Sequence, residues 1–192
     1  MSAVANRVPR PIGCHYEPMV EFGAQVHSEH PFLLPPAERA SARRVRGRLP
    51  APVTLWTAAA GSERAGLTVS SALVVEPGHL LGVIGEDSDL ADVLDDSDVF
   101  AVQVLDWRHR ALSDAFAYIA PAPGGPFRLA DWTPTAWGPV LSPAPTWLGC
   151  RLSGTRTVGY GLLVEAVIEH SAVEEEQDDP LVWHRGDYRH LR

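Results

Sequence analysis

The chain has 192 residues, of which 16 are cationic and 24 acidic, giving a formal net charge of −8 at pH 7. Every cation is arginine, because the sequence contains no lysine; this excludes a Schiff-base nucleophile, a pyridoxal-phosphate anchor and a Walker-type phosphate loop, each of which is built on a lysine ammonium. The acidic balance also excludes nucleic acid as an expected partner, since affinity for a polyanion rests on cation–phosphate contacts.

The length suits one domain at a prior of roughly 150 residues each. The 16 glycines and 17 prolines exceed the usual combined share of about 12%, which favours many turns over a few long helices. Two cysteines, Cys14 and Cys150, form neither a Cys-x-x-Cys pair nor a disulfide framework, so a reducing compartment is expected. The amino terminus shows no apolar signal core, and there is no uninterrupted apolar run of about 18 residues. A cytoplasmic protein without a membrane association is the expectation.

In chain order, residues 1–37 carry Pro9, Pro11, Pro18, Pro31, Pro35 and Pro36 and show no sustained periodicity, which reads as a proline-rich amino-terminal arm. Residues 38–192 read as one domain. Glu38 to Arg48 is a short helix stopped by Gly47 and Pro50. Runs rich in β-branched residues then recur at short intervals. Val53 to Ala59 is a strand, Gly61 to Arg64 a turn, Leu67 to Val75 a second strand, and His79 to Ile84 a third. Asp87-Ser88-Asp89 opens a short helix through Leu90, Val93 and Leu94, which share one face. Phe100 to Leu105 is a strand and Arg110 to Tyr118 a second short helix. Pro121 to Pro145 reads as a long loop anchored by Trp132 and Trp137. Trp147 to Arg156 and Tyr160 to Glu169 are two long strands around Gly159, and Leu181 to His184 is a last short one. Mainly β structure with short helices at its edges describes a small barrel.

No familiar catalytic spacing occurs: there is no His-Glu-x-x-His, no Gly-x-Ser-x-Gly and no complete Gly-x-Gly-x-x-Gly. His27 and His30 lie three apart within the arm, which gives no metal site. More informative is Gly66-Leu67-Thr68-Val69-Ser70-Ser71, where three hydroxyls interrupt an apolar strand. Alternation puts Leu67, Val69 and Ser71 on one face and Thr68 and Ser70 on the other. Small hydroxyls beside a glycine let a flat ligand approach the backbone and be bonded at its polar edge, although a polar barrel exterior would look the same.

Several segments carry a resemblance. Leu49 to Ala58, then Gly66-Leu67-Thr68-Val69-Ser70-Ser71, then Glu76-Pro77 before a hydrophobic strand, resemble the opening of the flavin reductase-like family. Phe100 to Leu105 resembles that family's "fAVnvL" strand, and Ala111 to Phe116 its "lAerFa" helix. Pro139-Val140-Leu141 before Trp147 to Arg151 follows in order, and Pro180 to Arg189 resembles the closing "PLvyhrGrYr". The likeness runs from about Glu38 to Leu191. It implies the FMN-binding split barrel, a Greek-key-like split β-barrel that binds FMN or FAD non-covalently and reduces it with NAD(P)H. It further implies a homodimer, and an oxygenase as the recipient of reduced flavin.

By that resemblance Thr68, Val69, Ser70 and Ser71 fall on the strand that holds the flavin, and Ser88 on the segment that binds its phosphate. Glu86, Asp87 and Asp89 depart from the pattern, since like charges a few ångströms from a phosphate cost on the order of 1 kcal/mol each. Plain helix capping explains Asp87 and Ser88 equally well. Where many family members carry a Gly-Asp-His turn, this chain has Gly159-Tyr160-Gly161, leaving His184 as the candidate catalytic residue beside the flavin. These departures keep an alternative open: a non-catalytic or divergent split barrel that binds flavin or another planar ligand without reductase activity. Arg39, Arg43, Arg44, Arg46 and Arg48 put five cations into ten residues, while Glu174, Glu175, Glu176, Asp178 and Asp179 form an acidic cluster near the other end of the chain. Both runs read as solvated surface. A lysine-free chain must nevertheless neutralise a flavin phosphate with arginine or backbone amides, so the arginine cluster is where that charge is expected.

Overall fold

The structure is a computed structural model that describes residue 41, residues 44–176 and residues 179–191. The amino-terminal arm with His27 and His30, and Arg39, Arg43 and Asp178, lie outside the described residues. Residues 44–46 are helical, consistent with the end of the expected first helix.

The strands are β1 (Ala51–Pro52), β2 (Thr54–Ala60), β3 (Glu63–Val69), β4 (Leu73–Val75), β5 (His79–Gly85), β6 (Val99–Val104), β7 (Asp131–Thr135), β8 (Gly138–Ser142), β9 (Trp147–Val158), β10 (Gly161–Ala172), β11 (Val182–His184) and β12 (Asp187–Arg189). The helices are α1 (Asp89–Ser97) and α2 (Arg110–Phe116), with single 3-10 turns at Trp107–His109 and Pro126–Leu129. Seven strands form one antiparallel sheet in the order β3-β2-β6-β9-β10-β5-β4. Its two outermost strands, β3 and β4, are consecutive in the chain and separated only by Ser70, Ser71 and Ala72. The sheet must therefore curl until its ends come together, giving a barrel that stays split, without a ladder, between β3 and β4.

The interior is filled by alternating residues of these strands. Trp56 stacks on Phe100 with ring centroids 5.0 Å apart and lies against Gly82, where any Cβ would stand 2.5 Å from the indole. Helix α1 plugs the barrel with Leu90, Ala91, Val93 and Leu94, all buried. Strand β2 is buried on both faces. Its other face sends Val53 and Leu55 into a second core with Leu105, Leu112, Phe116, Leu141 and Leu181, under α2 and the carboxy-terminal strands. Gly66, which sequence reasoning associated with a ligand, instead makes room for Phe116: a Cβ there would meet the ring at 2.6 Å.

The expected strand from Leu67 to Val75 is two strands with a corner at 70–72, as closure demands. Within the expected loop from Pro121 to Pro145 lies the hairpin β7–β8, with Pro134 opposite Pro139. Proline donates no hydrogen bond, so a two-stranded ribbon with open edges tolerates it where a central strand would not. The ribbon is pinned to the barrel by buried Gln103. Its amide donates to the Thr57 hydroxyl (3.2 Å) and its carbonyl accepts from the Leu141 amide (2.8 Å), while Thr57 donates to the Pro139 carbonyl (2.6 Å). Strands β1 and β12 flank β11 in a small separate sheet; at two and three residues they are too short for a periodic signal.

Candidate functional site

The corner between β3 and β4 opens into a groove of about 800 Å³ whose lining includes Ser70, Ser71, Trp183, Arg185 and the segment carrying Arg44, Arg46 and Arg48. Three pieces of chain build it. The β3–β4 corner supplies the serines. The β11–β12 hairpin supplies Trp183 and, at its turn, Arg185-Gly186, with Arg185 at φ 56° and Gly186 at φ 81°. The segment before β1 supplies the other arginines and is fastened to the hairpin by the Arg185 amide, which donates to the Gly47 carbonyl (2.9 Å).

The expected flavin residues divide. Thr68 turns outward, and its hydroxyl donates to the Ser113 carbonyl of α2 (2.7 Å). Val69 is buried in the barrel core, so a ligand can meet only its backbone. Ser71 lines the groove but is bonded twice to Val83 of β5. Ser70 is half-buried, lines the groove, and makes no hydrogen bond within the described residues, so its hydroxyl is available to a ligand. The alternation expected along β3 holds for Leu67, Thr68 and Val69 and ends with the strand; at the corner beyond it both Ser70 and Ser71 reach the groove.

Ser88 is not part of the groove lining. It is the N-cap of α1: its hydroxyl accepts from the Ala91 amide (3.3 Å) and donates to the Gly85 carbonyl (2.7 Å). Exposed Glu86, Asp87 and Asp89 flank it, and Asp89 accepts from the Tyr118 hydroxyl (3.0 Å). Burial, and then this bond, push Tyr118 above the ordinary tyrosine range. A phosphate at this turn would face three carboxylates and a serine already committed to capping.

His184 lies in β11 opposite Asp187, half-buried; its neighbours Trp183, Arg185 and Gly186 line the groove and His184 does not. Sequence reasoning overlooked Trp183, although it stands in the closing segment that carried the resemblance. Trp183 packs edge-on against Tyr188 (5.0 Å), and Tyr188 donates to the Asp114 carboxylate (2.7 Å). That bond ties the hairpin to α2, which in turn holds Thr68, so the two walls of the groove share one support.

A second groove, about 610 Å³, is lined by Asp106, Glu174, Glu176 and Asp179 together with Arg108 and Arg110. Arg108 is already paired with Asp106 (2.8 Å), and Arg110 lies over the Trp107 ring (3.9 Å). Four carboxylates against two engaged guanidiniums make it unfit for an anionic ligand. Among the described residues no cluster of histidine, cysteine or carboxylates suits a metal ion, and no helix is long and apolar enough to cross a membrane.

Comparison with known proteins bears on the family and the fold. The model of the flavin reductase like domain matches residues 46–192. The chain is 29% identical over 158 residues to the NADH-dependent FMN reductase AsuE2 of Streptomyces nodosus subsp. asukaensis, covering 80% of this chain and 85% of that protein. It is 30% identical over 152 residues to an NADH-dependent FAD reductase of Streptomyces globisporus, covering 71% and 83%. The solved structure of the NADH:FAD oxidoreductase SgcE6 of Streptomyces globisporus C-1027 superposes with a TM-score of 0.71 at 25% identity, covering 83% of this chain and 96% of that one. With three-quarters of its length matched in a single stretch, and with the split barrel it forms, the chain belongs to the flavin reductase-like family.

Proposed function

We propose that the protein is a flavin reductase that binds FMN or FAD in the groove at the β3–β4 corner and reduces it with NADH. The observation that carries this is the meeting of the Ser70 hydroxyl, unbonded among the described residues, with half-buried Trp183 in one groove. A hydroxyl without a partner suits the polar edge of a planar heterocycle, and an indole suits its face. The residues present therefore fit a flavin. The flavin, when bound, supplies the redox chemistry by accepting a hydride from the nicotinamide.

What the chain contributes is positioning. Ser70 orients the ring edge, the backbone at 70–72 lies outside any strand ladder and offers its amides, and the rigid barrel beneath fixes both. Trp183 shields one side of the groove from water. His184, expected from the sequence to be catalytic, lies one residue from Trp183 in β11 and outside the groove lining, so no direct role on the ligand is assigned to it. Homodimerisation is proposed through β4, whose Leu73, Val74 and Val75 are all exposed on a strand with one open edge. Delivery of the reduced flavin to an oxygenase is the role that the family resemblance supports.

The non-catalytic reading keeps one specific observation in its favour, the Gly159-Tyr160-Gly161 turn without aspartate or histidine. The two readings separate on flavin titration followed by NADH oxidation: binding with turnover supports the reductase, and binding without turnover supports the alternative.

A further inference from the structure

We infer that the phosphate end of the nucleotide cofactor is held in the arginine groove, by Arg44, Arg46, Arg48 and Arg185, and not at the β5–α1 turn. The inference rests on the reductase reading for the identity of the ligand and deepens it by assigning the charged half of the site.

Four exposed arginines line one groove in a protein with a net charge of −8. None of the four is ion-paired among the described residues, whereas Arg108, Arg151 and Arg189 each hold a carboxylate. Guanidiniums clustered without counter-ions repel one another, and an anion that bridges them relieves that repulsion with bidentate, charge-assisted bonds. Arg185 adds a local cost, since a non-glycine residue at φ 56° is held in a sparsely populated backbone region. Its amide bond to Gly47 locks the hairpin turn against the segment bearing the other three, so the four charges stand on a joined surface.

The β5–α1 turn carries the opposite charge. There, Glu86, Asp87, Asp89 and Asp92 surround the first turn of α1 without a basic residue, and Ser88 uses its hydroxyl both as donor and acceptor within the chain. The favourable dipole of a helix N-terminus is a weak attraction at an exposed site, too weak to offset several carboxylates. Charge therefore selects the groove. The chemistry recognised is a phosphate or pyrophosphate, and it has two sources: the flavin tail and the nicotinamide dinucleotide.

The test compares FMN, riboflavin, which lacks the phosphate, and ADP, which lacks the flavin, by calorimetric titration of the whole protein. Wild type is set beside R46Q/R48Q/R185Q, with R44Q/R46Q as a milder second variant, and beside E86Q/D87N. If the flavin tail occupies the groove, wild type prefers FMN over riboflavin, and that preference falls by about tenfold or more in the arginine variants while riboflavin affinity is unchanged. If the preference survives but ADP binding is lost, the groove holds the dinucleotide phosphates, which also supports the assignment. If both survive, or if E86Q/D87N shifts the FMN preference instead, the assignment is overturned. If wild type binds neither flavin, the reductase reading fails; arginine-dependent ADP binding would then uphold the groove alone, and its absence would remove that as well.

Discussion

The Ser71 hydroxyl meets Val83 on both sides, accepting from its amide at 2.9 Å and donating to its carbonyl at 2.8 Å. A side chain thus supplies the two bonds that a strand partner would supply, at the point where β3 turns into β4 and the sheet closes on itself. Removing them in Ser71→Ala should cost about 1 kcal/mol, two partly exposed bonds of modest net worth, and lower the Tm by about 2–4 °C in a chain of this size. Thermal unfolding checks this; an unchanged Tm would mean that closure does not depend on the serine.

Gln103 is the other polar joint, and it is fully buried. Replacing it with Leu leaves the Leu141 amide and the Thr57 hydroxyl without this partner inside the protein, at a cost of about 2–4 kcal/mol. Because the lost bonds pin the β7–β8 ribbon, the variant should also be cut by protease between residues 131 and 142 before the barrel unfolds. Equal resistance in wild type and variant would contradict the pinning role.

Alkali should unfold the protein earlier than its carboxylates suggest. Burial, with the Asp114 hydrogen bond second, pushes Tyr188 up to about 12 from 10.0, and burial, with Glu169 second, pushes Cys150 up to about 12 from 9.0. Each group keeps its proton in the folded chain while the unfolded chain loses it, so the stability they contribute is complete below pH 9 and is lost as pH rises towards 12. Denaturation at stepped pH should show this decline, and Tyr188→Phe should flatten its upper part. A decline of equal steepness in the variant would remove Tyr188 as a cause.

Much of this was legible in the residues. β-Branched runs cut by turn signals located nearly every barrel strand, because strands buried on one or both faces must be apolar at fixed spacing. The ribbon was hidden by Pro134 and Pro139, which argue against a central strand and say little about a two-stranded one. The candidate site was half legible. The hydroxyls after Gly66 pointed to the correct corner, but Thr68 and Ser88 carry the same chemistry and spend it on α2 and on a helix cap. Only the fold distinguishes a hydroxyl already bonded from one that is free. Trp183 and the arginine segment are distant in sequence from Ser70 and are joined to it only by the path of β11.

Ser70 is the residue on which the ligand reading depends. Ser70→Trp places an indole in the groove without touching the barrel core, so flavin affinity should fall by at least about a hundredfold, near 3 kcal/mol, while the circular dichroism spectrum and Tm stay close to wild type. Retained affinity would put the flavin elsewhere.

The most direct test of the account is the oxidation of NADH by the purified protein with FMN and with FAD, followed by the loss of nicotinamide absorbance. Turnover should need both NADH and flavin and should be abolished in Ser70→Trp. Tight flavin binding with no NADH oxidation by wild type would contradict it and leave a split barrel that holds flavin without reducing it.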